Sequence, residues 1–298
     1  MTVDIGHGKI ILFGEHFVVY GTPAIALGIS NKAIVEVKKS NITKYASDTK
    51  GTIPELTTSA IERILTAMKS KHKYEVHLSG DLPTTGGLGS SAAFCVALVR
   101  AVAKDAGLSL RDEELNGFAY EGEKAFHGNP SGVDNTMATY GGAIKFMRDK
   151  GFERLKLAVP LHFVVGITGI SSPTRKMVGQ VKTFRDDDPE QFQNLCDQAG
   201  EIVRKGEKAL SSGDAATLGA LMNENHELLR AIGVSIEKND IITKIALDNG
   251  ALGAKVTGGG GGGCCIALAK NAAGADKILN AIKQAGFEGF ITSAASDK

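Results

Sequence analysis

The chain has 298 residues, with 34 Lys and Arg against 33 Asp and Glu, a formal net charge of +1. So even a balance gives no footprint for nucleic acid or an anionic membrane, and no apolar run approaches the roughly 20 residues of a membrane-spanning helix. The length exceeds that of a usual single domain, so two domains are expected. The opening Met1-Thr2-Val3-Asp4-Ile5 lacks the layout of a secretory signal, which makes a cytoplasmic location the expectation. Cys95, Cys196, Cys264 and Cys265 show no metal-ligand spacing and have mainly apolar neighbours, a pattern that reads as reduced, buried thiols.

In chain order, Lys9 to Tyr20 and Ala33 to Lys39 are apolar, β-branched segments that read as strands, although Lys9, Glu15 and His16 put charge where such a strand would not want it. A helix is predicted over Glu55 to Met68, with Leu56, Ala60, Ile61, Ile64, Leu65 and Met68 on one face. Tyr74 to Leu78 alternates as a half-buried strand does. A glycine-rich turn then runs into an apolar helix over Ala92 to Ala106, and a further helix carries Leu115, Phe118, Ala119, Gly122, Ala125 and Phe126 on its apolar face. Gly141-Gly142 turns into a strand over Ala143 to Met147, and Pro160 to Gly169 reads as another. Helices follow near Thr174–Phe184, Pro189–Leu210, Asp214–Ala231 and Asp240–Asn249. Strands return at Ala254–Thr257 and Cys264–Ala269, then a helix at Ala272–Gln284 and a last strand at Gly289–Thr292. A compositional seam near Pro160 divides the chain into expected domains 1–159 and 160–298, the second richer in helix.

Three segments carry chemistry. Leu82-Pro83-Thr84-Thr85-Gly86-Gly87-Leu88-Gly89-Ser90-Ser91-Ala92-Ala93 places a glycine turn at a helix mouth, where unpaired N–H groups and the helix dipole suit a phosphate. Ser90 and Ser91 there are helix caps, phosphate ligands or Mg²⁺ ligands. Thr257-Gly258-Gly259-Gly260-Gly261-Gly262-Gly263 contains GxGxxG formally, but a strand follows it rather than a helix, so a dinucleotide fingerprint is excluded. So many glycines are costly to order and exceed what a hairpin needs, which favours a loop that approaches a ligand through its backbone. No GxxxxGK[ST] is present.

The third segment runs from Glu121 to Asn135. Glu123 falls in the last turn of its helix, where a carboxylate opposes the dipole and a cation would relieve it; a solvent-facing glutamate paired with a lysine fits equally well. Ser131-Gly132-Val133-Asp134 reads as a capping box, and His127 as a C-terminal cap.

Together with Gly8-Lys9-Ile10-Ile11-Leu12-Phe13-Gly14-Glu15-His16-Phe17-Val18-Val19-Tyr20-Gly21, these runs resemble, in order, the motifs of the GHMP small-molecule kinases. The likeness is greatest to the branch that phosphorylates mevalonate rather than galactose or homoserine. The resemblance implies an α+β, two-domain GHMP kinase fold with the active site in the cleft between the domains. It implies that Pro83, Thr84, Thr85, Gly86, Gly87, Leu88, Gly89, Ser90, Ser91, Ala92 and Ala93 cradle the ATP phosphates, with Gly258, Gly259 and Gly260 closing over them. Asp134 is then the base for the primary hydroxyl, with Lys9 beside it stabilising charge on the transferred group. One of Ser90 and Ser91 joins Glu123 on Mg²⁺, and Glu15, His16 and Thr257 bind the substrate. The expected partners are ATP and a small molecule, with no nucleic acid and no membrane, and a homodimer is compatible with the chain.

Three positions depart from the family pattern: His7 stands where a proline is common, Thr85 where a glycine is, and Gly259 where an alanine is. None removes a proposed catalytic group. Two other readings remain: a kinase of the same family acting on another small alcohol, such as phosphomevalonate, and a catalytically silent nucleotide-binding regulator. A second substrate phosphate calls for extra cations, for which Arg175 and Lys176 are the only obvious candidates. Retention of Lys9, Glu123 and Asp134 argues against a silent binder.

Overall fold

A computed structural model describes all residues except 50, 85, 128–129, 131, 149, 171–172 and 295–298. The described chain divides into two compact units, each assembled from separate stretches: Met1–Lys9, Gly28–Thr84 and Leu88–Gly141 form the first, and Ile10–Leu27, Thr85–Gly87 and Gly142–Lys298 the second. Strands β1 (Thr2–Phe13) and β2 (Ala24–Ser40) run from one unit into the other. The later change of unit falls at Gly141/Gly142, ahead of the compositional seam at Pro160.

In the first unit β2 pairs antiparallel with β4 (Lys73–Gly80), Val35 opposite Leu78 and Val37 opposite Val76, and β3 (Lys44–Ser47) lies parallel to β4. The alternation expected of β4 is present: Tyr74, Val76 and Leu78 are buried while their neighbours are not. Among the described residues the helices of this unit are α1 (Pro54–Ala67), α2 (Ser90–Asp105), α3 (Asp112–His127) and α4 (Val133–Tyr140). Helix α2 is buried on nearly every side, as its run of alanine, valine and leucine requires. Close approach at two glycines sets its position. A Cβ on Gly6 of β1 would lie 2.0 Å from the Ala93 carbonyl oxygen, and one on Gly122 of α3 would lie 2.7 Å from Cys95 Sγ.

In the second unit the first residues of β2 pair with β5 (Ala143–Met147), which forms a hairpin with β6 (Gly151–Leu155). A four-stranded antiparallel sheet follows the order β10 (Glu288–Ala294), β7 (Leu161–Ile167), β9 (Cys264–Ala269), β8 (Gly253–Thr257). Helices α5 (Thr174–Asp187), α6 (Pro189–Ser212), α7 (Ala215–Ala231), α8 (Glu237–Asp248) and α9 (Ala272–Gln284) complete it. Their starts are written locally. Asp188 accepts from the Gln191 N–H at 2.9 Å ahead of Pro189, Asp214 from Thr217 at 3.0 Å, and Asn271 from Gly274 at 2.9 Å. No helix among the described residues is long and apolar enough to cross a membrane.

Two strand expectations need correction. The strand predicted over Lys9 to Tyr20 ends at Phe13, and Phe17–Tyr20 is a 3₁₀ turn. Gly14 and His16 take φ of +92° and +61°, which no extended strand can contain. The strand predicted over Ala33 to Lys39 begins at Ala24, since the pairing of Ala24–Leu27 with β5 carries the chain through its polar interruption. The short elements β3, β6 and α4 had no periodic signature long enough to read.

Candidate active site

Lys9 leaves β1 where that strand meets the mouth of α2. Its backbone N–H donates to the Leu88 carbonyl at 2.9 Å, and its buried side chain reaches Asp134 Oδ1, Nζ to oxygen 3.0 Å. The stem of the lysine packs on Gly89, where a Cβ would lie 2.9 Å from Lys9 Cγ. Gly89 is also the N-cap of α2, with φ +69°, and as a glycine it has no side chain to cap the helix. Ser90 and Ser91 lie inside the first turn, so neither is the N-cap residue. The two serines are half-buried in the first turn, whereas Ala92 and Ala93 are buried. The Ala93 N–H already donates to the Gly89 carbonyl at 2.9 Å, so the orphan donors of this helix mouth are those before it. Thr85 lies outside the described residues.

Asp134 occupies the first turn of α4 behind Gly132 at φ +87°, with its side chain about one-third exposed at 32%. Gly132, the N-cap of α4, has no side chain to cap the helix; Ser131, the other half of the expected capping box, lies outside the described residues.

Glu123 is not the solvent-facing residue that its position allowed. It is 1% exposed, with Oε2 3.2 Å from His127 Nδ1 one turn on and Oε1 4.0 Å from Cys95 Sγ. Its neighbour Lys124 pairs instead with Glu121. The bond to Glu123 raises the His127 pKa against the opposing effect of burial, with Glu123 and Asp134 adding charge attraction and Lys9 opposing it. Burial, and then the Glu123 charge, push the Cys95 thiol well above its ordinary value.

In the second unit the turn after β1 is fastened to β8. Thr257 Oγ1 accepts the Ile11 N–H at 3.0 Å and donates to the Ile11 carbonyl at 3.1 Å, replacing a strand partner. Glu15, 1% exposed, pairs with Lys255, and its second oxygen accepts from Asn225 Nδ2 at 3.4 Å. His16 Nε2 lies 3.0 Å from the Gly259 carbonyl, and burial lowers the imidazole pKa while that carbonyl acts in the other direction.

The glycines between β8 and β9 form the strand–glycine–strand loop that the sequence indicates, with Thr257 opposite Cys264. Gly258, Gly260, Gly261, Gly262 and Gly263 all have positive φ. Backbone bonds from Gly261 to Val234 and from Gly263 to Ile170, both 2.8 Å, hold the loop, and Asn239 Nδ2 donates to the Gly262 carbonyl at 2.9 Å. Glycine meets glycine at its start: a Cβ on Gly258 would lie 2.4 Å from Gly87 Cα, and one on Gly87 would lie 2.7 Å from the Thr257 carbonyl oxygen.

Residues 55–142 match the model of the GHMP kinases N terminal domain, and residues 207–288 that of the GHMP kinases C terminal domain. The mevalonate kinase of Pyrococcus furiosus is 36% identical over 322 aligned positions, covering 97% of this chain and 95% of that relative. The chain belongs to the GHMP kinase family.

Among solved structures, this GHMP kinase is similar to that of L. major mevalonate kinase in complex with R-mevalonate, with 36% identity and a TM-score of 0.92 over 100% of this chain and 97% of that one. It is also similar to the Methanococcus jannaschii mevalonate kinase, with 25% identity and a TM-score of 0.84 over 99% and 98% of the two chains. The two-domain α+β fold expected from the resemblance is therefore correct.

The sequence reading missed two buried groups of this kinase, Lys255 and Asn225, and the partnership of His127 with Glu123. Lys255 left a signal: a lone charge inside Ala254-Lys255-Val256, an otherwise apolar strand just ahead of the glycines.

Proposed function

We propose that this GHMP kinase transfers the γ-phosphoryl group of ATP to the primary hydroxyl of mevalonate, giving 5-phosphomevalonate. The observation that carries the reading is the 3.0 Å contact of Lys9 Nζ with Asp134 Oδ1 beside the glycine N-cap of α2. Asp134 takes the hydroxyl proton, and Lys9 stabilises the charge that develops on the transferred group. The backbone of Pro83 to Ala92 cradles the phosphates, joined by Gly258, Gly259 and Gly260. His16 and Thr257 bind mevalonate, and Glu15 fixes the turn that carries His16.

Carboxylate and hydroxyl oxygens are the hard donors that Mg²⁺ takes, and one or two of them with phosphate oxygens suffice. The oxygens of Glu123 and Ser91 fit. Ser91 stands one helical turn before Cys95, whose thiol touches Glu123, so it shares the face of α2 that Glu123 meets, and Ser90 does not. The ion would neutralise charge on the phosphates.

The relatives support the substrate. So does the cation count against a second substrate phosphate: Arg175 and Lys176 are exposed in the first turn of α5, as solvated residues are. A coupled ADP-release assay with mevalonate, phosphomevalonate, galactose and homoserine, with and without Mg²⁺, tests the reading; preference for any alcohol but mevalonate overturns it. Asp134→Asn should lower kcat by about 10²–10⁴ while ATP still binds, and a near-normal kcat would remove the base role.

A further inference from the structure

Among the buried polar groups of the second unit, one ion pair is sealed completely. The side chains of Lys255 and Glu15 are each 0% exposed. Removing two charges from water is costly, and such a pair is frequently no more stable than apolar residues of the same volume. Stability alone is therefore a weak explanation of the pair.

The bonding around the pair supplies another. Lys255 Nζ has three N–H donors, and among the described residues its acceptors include a Glu15 carboxylate oxygen, the Val256 carbonyl at 2.7 Å and the Ile11 carbonyl at 3.5 Å. Both Glu15 oxygens are engaged, one by Lys255 and the other by Asn225 Nδ2 at 3.4 Å. Asn225, 0% exposed, also accepts the Gly14 N–H through Oδ1 at 3.3 Å. The network therefore grips the turn Gly14-Glu15-His16 by both side chain and backbone. That turn needs gripping, because His16 sits at φ +61°, a conformation that a residue with a Cβ adopts only under constraint.

We infer that Lys255 and Asn225 are positioning residues for the acceptor alcohol. They hold Glu15 as a buried strut, so that the orientation of His16 is set before substrate arrives. This rests on the reading of His16 as a substrate-binding group. Glu15 is accordingly a strut rather than a ligand, since its carboxylate is fully buried with both oxygens engaged by protein groups. Lys255 lies two residues before Thr257, so one strand carries both the strut and the Thr257 bonds to Ile11.

The test compares Lys255→Met, Glu15→Gln and their double variant by thermal unfolding and by steady-state kinetics with ATP and mevalonate varied separately. Lys255→Met strands a buried carboxylate and lowers Tm; the double variant removes both charges and recovers most of it. A positioning role leaves the double variant with a KM for mevalonate about tenfold or more above wild type, and a KM for ATP within about twofold. A double variant with wild-type KM for mevalonate overturns the inference, since the pair would then serve stability alone. So does an equal rise in both KM values. If the Met variants do not fold, Asn225→Ser, which loosens the strut without stranding a charge, is read by the same split. Should the wild type prefer another alcohol, the substrate assignment fails by itself, and the split is read with that alcohol.

Discussion

Gly89 and Lys9 are in contact through the backbone of one and the aliphatic stem of the other. A Cβ at Gly89 would stand 2.9 Å from Lys9 Cγ and 3.2 Å from Cε, and the φ of +69° is left-handed. Gly89→Ala therefore displaces the lysine from Asp134 and strains the helix mouth together. We expect kcat to fall at least about tenfold, because a small misplacement of a catalytic group is costly, with about 1–2 kcal/mol of stability lost. Kinetics and thermal unfolding of the variant check this; an unchanged kcat would show that Lys9 does not need this seat.

Glu123 and Ser91 should act together. Glu123→Gln keeps the volume but weakens the charge attraction for a cation, and we expect a higher Mg²⁺ concentration for half-maximal rate as well as a reduced kcat. Ser91→Ala should shift the Mg²⁺ dependence in the same direction, and Ser90→Ala should leave it nearly unchanged. A Mg²⁺ titration of the three variants measures it, and the reverse order for the serines would exchange their roles.

His127 supplies a pH signature. Its folded pKa lies above the ordinary 6.5, chiefly through the bond to Glu123. Its stabilisation is therefore fully present below pH 6.5 and disappears as pH rises through the folded value. The buried His16 and His226 have lowered values and act oppositely, costing stability as pH falls below 6.5. Tm measured from about pH 5 to 8 should place His127→Gln furthest below wild type at the acid end and converge with it toward alkaline pH. A gap constant with pH would remove the ionic role.

Gly258 and Gly259 are neighbours with opposite expected tolerance. At Gly258 a Cβ meets the Gly87 backbone at 2.4 Å with φ +79°, and neither side can yield. At Gly259 φ is unexceptional, and the nearest atom is the exposed Thr174 Oγ1 at 2.9 Å, which a rotamer change moves away. Gly259→Ala should retain activity within a few-fold and gain about 0.4–1 kcal/mol through a less flexible unfolded chain, while Gly258→Ala should lose both activity and stability. Parallel assays and melts of the two variants decide it.

Much of the architecture was legible because its causes are local. The apolar stripe of Glu55 to Met68, the caps at Asp188, Asp214 and Asn271, and the strand on each side of the glycine loop are written within a few residues of where they act. The end of β1 at Phe13 was not legible, since Gly14-Glu15-His16 could be an interruption or a stop until the buried partner of Glu15 was known.

By itself the sequence determined the types of the longer elements, the two glycine segments, the order of the motifs and so the family, because periodicity and motif spacing are properties of neighbouring residues. Only the tertiary structure decided what each charged group faces. It turned Glu123 inward to His127 and sealed Glu15 against Lys255, and it gave the expected neighbours Lys9 and Asp134 a direct contact of 3.0 Å. Lys9 with Asp134 and Glu15 with Lys255 join residues far apart in the chain, and the energetics of all three pairs depend on exclusion from water, which no local pattern of residues records.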